Sequence, residues 1–310
     1  MHGGLGVSVR ELVIVGAGPA GVSAALWAQS RHLDVEVVEG AAVPGGQLQI
    51  VHFHPRELPG IEFGHGRAIA QSYLRQLLEA RIPVRWETTV AALEPGPTPA
   101  LRLTDGSRLE ARAVLVASGA RRRRLGVPGE AEYTDRGVSH SATRDRAVLA
   151  GRHVAVIGGG DAAYENALLL AAAGCTVTSI VRGTPRARTE FRARVAAEPR
   201  ITVRTGCRVE ALLGDDVLRA VRVRDDEGVH TWPFEGVVIK VGMVPNTEWC
   251  RDVLAHDADG WLTVDDESAT SCPGVWAVGD VVRPRLPSVS VAAGQGASAI
   301  AVIRAALRGE

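Results

Sequence analysis

Two copies of one local pattern, one near the N-terminus and one in mid-chain, constrain this sequence more than any other feature. In the first, the β-branched run Glu11 to Val15 reads as a buried parallel strand. The turn Gly16-Ala17-Gly18-Pro19-Ala20-Gly21 follows at once, then a helical stretch from Val22 to Ser30 and a second strand, Val35 to Val38, closing on Glu39. Closely spaced glycines between a strand and a helix let the backbone approach a pyrophosphate, and the unpaired N–H groups of the helix start favour its negative charge. An acid about 20 residues further on stands where it can accept hydrogen bonds from ribose hydroxyls.

The second copy runs His153 to Ile157, Gly158-Gly159-Gly160-Asp161-Ala162-Ala163, a helix from Tyr164 to Ala173 and a strand from Thr176 to Val181. Here Arg182 replaces the closing acid. A carboxylate at that position repels the 2′-phosphate of NADPH, whereas a guanidinium pairs with it. Arg182, followed by Arg186 and Arg188, therefore predicts NADPH over NADH. Between and after the copies, Arg102 to Leu109 reads as a hairpin around Asp105-Gly106, and Ala113 to Gly119, Val221 to Arg224 and Val237 to Lys240 read as strands. Thr270 to Asp280 reads as a further strand, and Ala292 to Leu307 as a helix.

At 310 residues the chain is about twice an ordinary domain. Its 35 basic and 35 acidic side chains cancel, so no overall field draws it to nucleic acid or an anionic membrane. No apolar run approaches the roughly 18 residues of a membrane span, and Met1 to Arg10 lacks the order of a secretory signal, which together predict a cytoplasmic protein. Every basic residue is Arg except Lys240, an asymmetry read here as compositional bias. The run Arg121 to Arg124 reads as a solvated linker face. The four cysteines, Cys175, Cys207, Cys250 and Cys272, form no C-x-x-C pair and no zinc pattern, and read as small buried hydrophobes.

With Glu39-Gly40, Gly45-Gly46-Gln47-Leu48, Ala117-Ser118-Gly119, the second glycine turn, Gly242 to Glu248 and the Thr270 to Asp280 segment, all in order, the chain resembles the low-molecular-weight thioredoxin reductases of the flavoprotein disulfide reductase superfamily. The resemblance implies an α/β fold of two Rossmann-like, three-layer ββα nucleotide-binding domains. A discontinuous FAD domain covers residues 1–118 and 246–310, an NAD(P)H domain is inserted at 119–245, and the protein is a homodimer. It also implies FAD contacts at Gly16, Gly18, Pro19, Ala20, Gly21, Glu39, Gly40, Gly46, Gln47, Leu48, Gly119, Gly279 and Asp280. NADP contacts are implied at Gly158, Gly160, Asp161, Ala162, Ala163 and Glu165, joining Arg182, Arg186 and Arg188.

The sequence departs from the family where its redox dithiol stands. Gly137-Val138-Ser139-His140-Ser141-Ala142-Thr143-Arg144-Asp145 carries Ser141 and Arg144 in place of the two cysteines. Neither side chain can cycle between thiol and disulfide. Two readings stay open: Arg144 stabilises charge or attracts an acidic acceptor while Asp145 moves a proton, or the segment is a structural loop. His54 is a further candidate proton donor. His52 and His54 lack the additional ligands a metal needs. The resulting expectation is an NAD(P)H oxidoreductase passing electrons through FAD to an unidentified small-molecule or protein acceptor. Its alternatives are a flavin-binding redox sensor and disulfide chemistry through relocated cysteines.

Overall fold

The computed structural model describes residues 9–55, 58–61 and 64–310; most of the Met1–Arg10 stretch lies outside them. The chain opens with β1 (Arg10–Val15), α1 (Pro19–Ser30), β2 (Val35–Val38), α2 (Gly66–Glu79) and β3 (Val84–Arg85). Next come β4 (Val90–Glu94), β5 (Ala100–Leu103), β6 (Arg108–Val116), β7 (Ala120–Arg122) and β8 (Val138–Ser139). The second glycine unit follows as α3 (Ala142–Leu149), β9 (His153–Ile157), α4 (Asp161–Ala172), β10 (Thr176–Val181), α5 (Thr189–Ala197) and β11 (Ile201–Thr205). The chain then forms β12 (Arg208–Gly214), β13 (Leu218–Arg224), β14 (Val229–Pro233) and β15 (Gly236–Ile239), and closes with β16 (Met243–Pro245), β17 (Val275–Ala277) and α6 (Val289–Arg308).

Two compact units result, one holding residues up to Arg121 together with Val244–Glu310, the other Arg122–Met243. In the first, β3, β2, β1, β6 and β17 lie side by side in parallel, and the long β6 also pairs antiparallel with β5, which continues to β4. Leu12, Ile14 and Leu115 are fully buried with Ala24, Ala28 and Ile300 on the helical side of the sheet. Val13, Val114 and Val116 face Leu101, Leu103 and Leu109 of the meander on the other side. Burial on both faces explains the continuous apolar runs, each large side chain stabilising the unit by about 1.5–3 kcal/mol. The second unit repeats the plan with a parallel sheet ordered β11-β10-β9-β15-β8 and an antiparallel meander β12-β13-β14. Both units are the three-layer ββα arrangement expected.

Several boundaries differ from expectation, three of them for identifiable local reasons. Helix α1 begins at Pro19 rather than Val22, because proline's fixed φ and missing N–H suit a first helical position. The Thr270 to Asp280 strand shrinks to Val275–Ala277. Thr270 Oγ1 accepts from Cys272 N and donates to Val275 O, folding the preceding residues into a turn. Helix α6 begins at Val289, where the hydroxyl of Ser288 caps it by accepting from Val291 N. By length and composition α6 would pass for a membrane span. In this fold its stripe Ala292, Gly296, Ala299, Ile300 and Ile303 is buried, and a Cβ on Gly296 would stand 2.2 Å from the Ala20 carbonyl oxygen of α1.

Candidate functional site

The glycines of the first turn divide into two kinds. Gly16 has φ +106°, and a Cβ there would lie 2.5 Å from Ala117 O; a Cβ on Gly21 would lie 1.8 Å from Gly16 O. Both are required by the protein's own packing. Gly18 is different: its φ of −73° suits any residue, and a Cβ would meet no atom within 4 Å. Its side is open space at the start of α1, where no side chain caps the helix. That is a cradle shaped for a ligand phosphate.

Three other segments converge on this cradle. Glu39, at the end of β2, accepts from Ala17 N at 2.6 Å and Ala41 N at 2.8 Å, which fixes its carboxylate beside the turn. Gly40 follows it, exposed. Gly45 N donates to Ala17 O at 2.7 Å, and the position of a Gly46 Cβ is 3.7 Å from Gly18 Cα. Leu48 anchors this second segment by packing with Ile69 and Ala70. Gln47 donates to Asp280 Oδ2 at 2.6 Å, and Gly279, at φ +77°, lies with its Cβ position 3.0 Å from the Ala20 side chain. Burial raises the Asp280 carboxyl above its ordinary value, against the opposing hydrogen bond from Gln47. Gly119 has φ +66° and open space on its Cβ side, just after Ser118, whose hydroxyl donates to Asn246 O. The residues present therefore fit an extended dinucleotide. His54 is outside this set of contacts, with its Nδ1 3.0 Å from Gly64 O.

In the second unit the same division recurs. Gly158, at φ +138°, is pressed against Lys240, whose carbonyl oxygen would be 2.1 Å from a Cβ, whereas Gly160 has φ −98° and nothing within 4 Å. Ala163 is buried in the helical core and Ala162 is exposed. Arg186 N and Ala187 N both donate to Gly159 O, folding the loop after β10 back over the turn. Arg188 is thereby committed to Asp161, through its N and its Nε at 2.7 Å each, and lies over the Phe191 ring. Arg182 and Arg186, both exposed, form no ion pair among the described residues. They are the two arginines free to meet a phosphate.

The segment in place of the dithiol has clear local roles. Ser141 caps α3, its Oγ accepting from Arg144 N at 3.3 Å. Arg144 pairs with Asp135 at 2.6 Å and Asp145 at 2.8 Å, so its charge is balanced by two carboxylates. Asp145 also accepts from the Ser139 hydroxyl. Ser141→Ala should lower stability by about 1 kcal/mol and speed exchange of the first α3 amides, while Ser141→Asp, an equally good cap, should not. Equal effects of both would remove the capping role.

Sequence reasoning missed two sets of residues. Gln295, on α6, accepts from Gly279 N at 2.9 Å and so holds the Asp280 turn; its only signal was the Gly294-Gln295-Gly296 interruption of the tail helix. Lys240, dismissed as composition, is half-buried at the second glycine turn beside Arg122, with His140 close by. The signal available was that it is the sole lysine of the sequence. All four cysteines are free and buried, with thiols pushed up by burial, Cys250 to about 12.

The family model "Pyridine nucleotide-disulphide oxidoreductase" matches residues 10–296. Thioredoxin reductase of Mycolicibacterium smegmatis is 33% identical over 94% of this chain and 94% of its own length. NADH dehydrogenase of Ferdinandcohnia aciditolerans is 31% identical over 93% of this chain, which spans only 56% of that relative. Among solved structures, Lactococcus lactis thioredoxin reductase in its FR conformation superposes with a TM-score of 0.80 at 30% identity, over 97% of this chain and 100% of the other.

Proposed function

Because this chain belongs to the pyridine nucleotide-disulphide oxidoreductase family, as a thioredoxin reductase-like member, we propose that it is an FAD-dependent NAD(P)H oxidoreductase whose electrons leave by a route other than a C-x-x-C dithiol. The observation that carries the reading is Gly18, a glycine that the protein's own packing does not need, opening onto the cradle between Glu39 and the Gln47–Asp280 pair. FAD held there supplies two-electron chemistry with a nicotinamide and onward transfer to an acceptor. The turn N–H groups hold the pyrophosphate and Glu39 the adenosine ribose. Asp280, oriented by Gln47, takes the polyol chain of the flavin, and Gln295 fixes the backbone beside it. In the second unit Gly160 opens onto the matching cradle for NADPH, with Arg182 and Arg186 toward its 2′-phosphate.

Support for a different exit route lies in the uses found for Ser141, as a helix cap, and Arg144, in two ion pairs. Buried, protonated thiols weigh against relocated disulfide chemistry, since only a thiolate attacks a disulfide. Mixed anaerobically with NADPH, the purified protein should lose its oxidised-flavin absorbance, yet reduce thioredoxin at no rate typical of the family. A variant with all four cysteines replaced by Ala should bleach as the parent does. Failure of NADPH to reduce bound flavin would favour the redox-sensor reading, and thioredoxin turnover abolished by replacing one or two cysteines would favour a relocated dithiol.

A further inference from the structure

The strand order places Arg182, which follows β10, on one side of the second glycine turn and Lys240, which follows β15, on the other. A dinucleotide with its pyrophosphate on the turn after β9 and its adenosine end toward Arg182 extends its nicotinamide over β15 and β8. Lys240 is built into the turn: its N donates to Ile157 O at 2.8 Å, and its carbonyl oxygen stands against Gly158.

Lys240 is half-buried, and its ammonium lies within electrostatic reach of Arg122, Glu165 and His140. Neither Lys240 nor Arg122 forms a side-chain hydrogen bond or ion pair among the described residues, and His140 Nδ1 is buried without a hydrogen-bond partner. Burial, Arg122 and Lys240 all hold His140 down, toward its neutral form, against Glu130 and the Ile239 backbone. The Glu130 carboxylate is occupied by Leu125 N and Gly126 N. Two half-buried cations thus share one exposed carboxylate, Glu165.

Resting on the NADPH reading of this turn, we propose that Lys240, backed by Arg122, makes the site selective for the redox state of the nicotinamide, favouring the neutral reduced ring over the cationic oxidised one. Reduced and oxidised nucleotides carry the same phosphates and differ by one positive charge on the ring. A like charge beside that ring, in a half-buried site, shifts their affinity ratio by about tenfold and hastens release of the oxidised form. The device is tunable by pH. Burial and Arg122 lower Lys240 to about 8, against Glu165, so its charge is present below that pH and lost above it.

Binding of NADP+ and of tetrahydro-NADPH, whose neutral ring mimics NADPH but cannot pass hydride to the flavin, to the full-length oxidised flavoprotein, measured directly by calorimetry, tests this at pH 7 and pH 9.5, a range in which His140 stays neutral and Arg122 charged. Wild type at pH 7 should bind the neutral-ring analogue at least about tenfold tighter than NADP+. Raising the pH to 9.5, or Lys240→Gln at pH 7, should narrow that ratio several-fold, chiefly by tightening NADP+. Lys240→Arg should keep the ratio at both pH values. A ratio indifferent to pH and to Lys240→Gln overturns this inference alone. Binding of neither nucleotide overturns the NADPH reading, and the inference with it. The wild-type pH comparison needs no variant to fold.

Discussion

Gly18→Val should give a folded protein that purifies without flavin colour. The φ of Gly18 lies where valine is at ease, and its Cβ would touch no atom of the protein, so the substitution costs the folded chain little beyond a poorer N-cap for α1. The methyl groups instead fill the space at the start of α1 where a pyrophosphate must approach the N–H groups. Loss of that approach should weaken FAD by roughly 100-fold or more, equivalent to two charge-assisted hydrogen bonds. Gly21→Val is the contrast. Its Cβ would collide with Gly16 O, so α1 must shift off the sheet and stability should fall along with flavin content. Absorbance of the purified proteins reads the flavin, and thermal unfolding after removal of FAD reads the fold. A Gly18→Val protein holding stoichiometric FAD would falsify the cradle assignment.

Much of this organisation was legible in the sequence because glycine leaves a local signature: each turn lies between a β-branched run and a helix, and sheet register follows from burial on both faces. Glu39 was legible for the same reason, since a strand of fixed length delivers it to the turn. What was not legible depends on segments that meet only in three dimensions. Arg188 looks like one more phosphate-binding arginine until the loop after β10 folds back onto Gly159 O and hands it to Asp161. Gln295 is one polar residue in a small-residue helix until α6 docks on α1 and brings it to Gly279. Lys240 is uninformative in a list of charges because its meaning comes from burial against Arg122 at the end of β15. The Thr270 side chain bends an apolar run that periodicity alone reads as continuous strand.

Arg182→Ala should raise the Kd of NADPH by roughly 10- to 150-fold and leave that of NADH almost unmoved, since only NADPH offers the phosphate this guanidinium would pair with. Arg182 follows directly on Val181, the last residue of β10, where the adenosine ribose of a nucleotide on the turn must lie. Its lack of an internal ion pair means that the substitution removes a ligand contact and breaks none within the protein. Arg188→Ala should behave differently. It removes the guanidinium that balances the Asp161 carboxylate and leaves only the backbone N–H of residue 188 on it, so the negative charge in the first turn of α4, beside the pyrophosphate of either nucleotide, is no longer offset by a cation. Both Kd values should then rise together, by a few-fold. Titrations of the two variants with NADPH and NADH therefore separate the arginine that reads the phosphate from the one that shapes its site. Equal losses for both nucleotides in Arg182→Ala would remove the basis for NADPH selectivity.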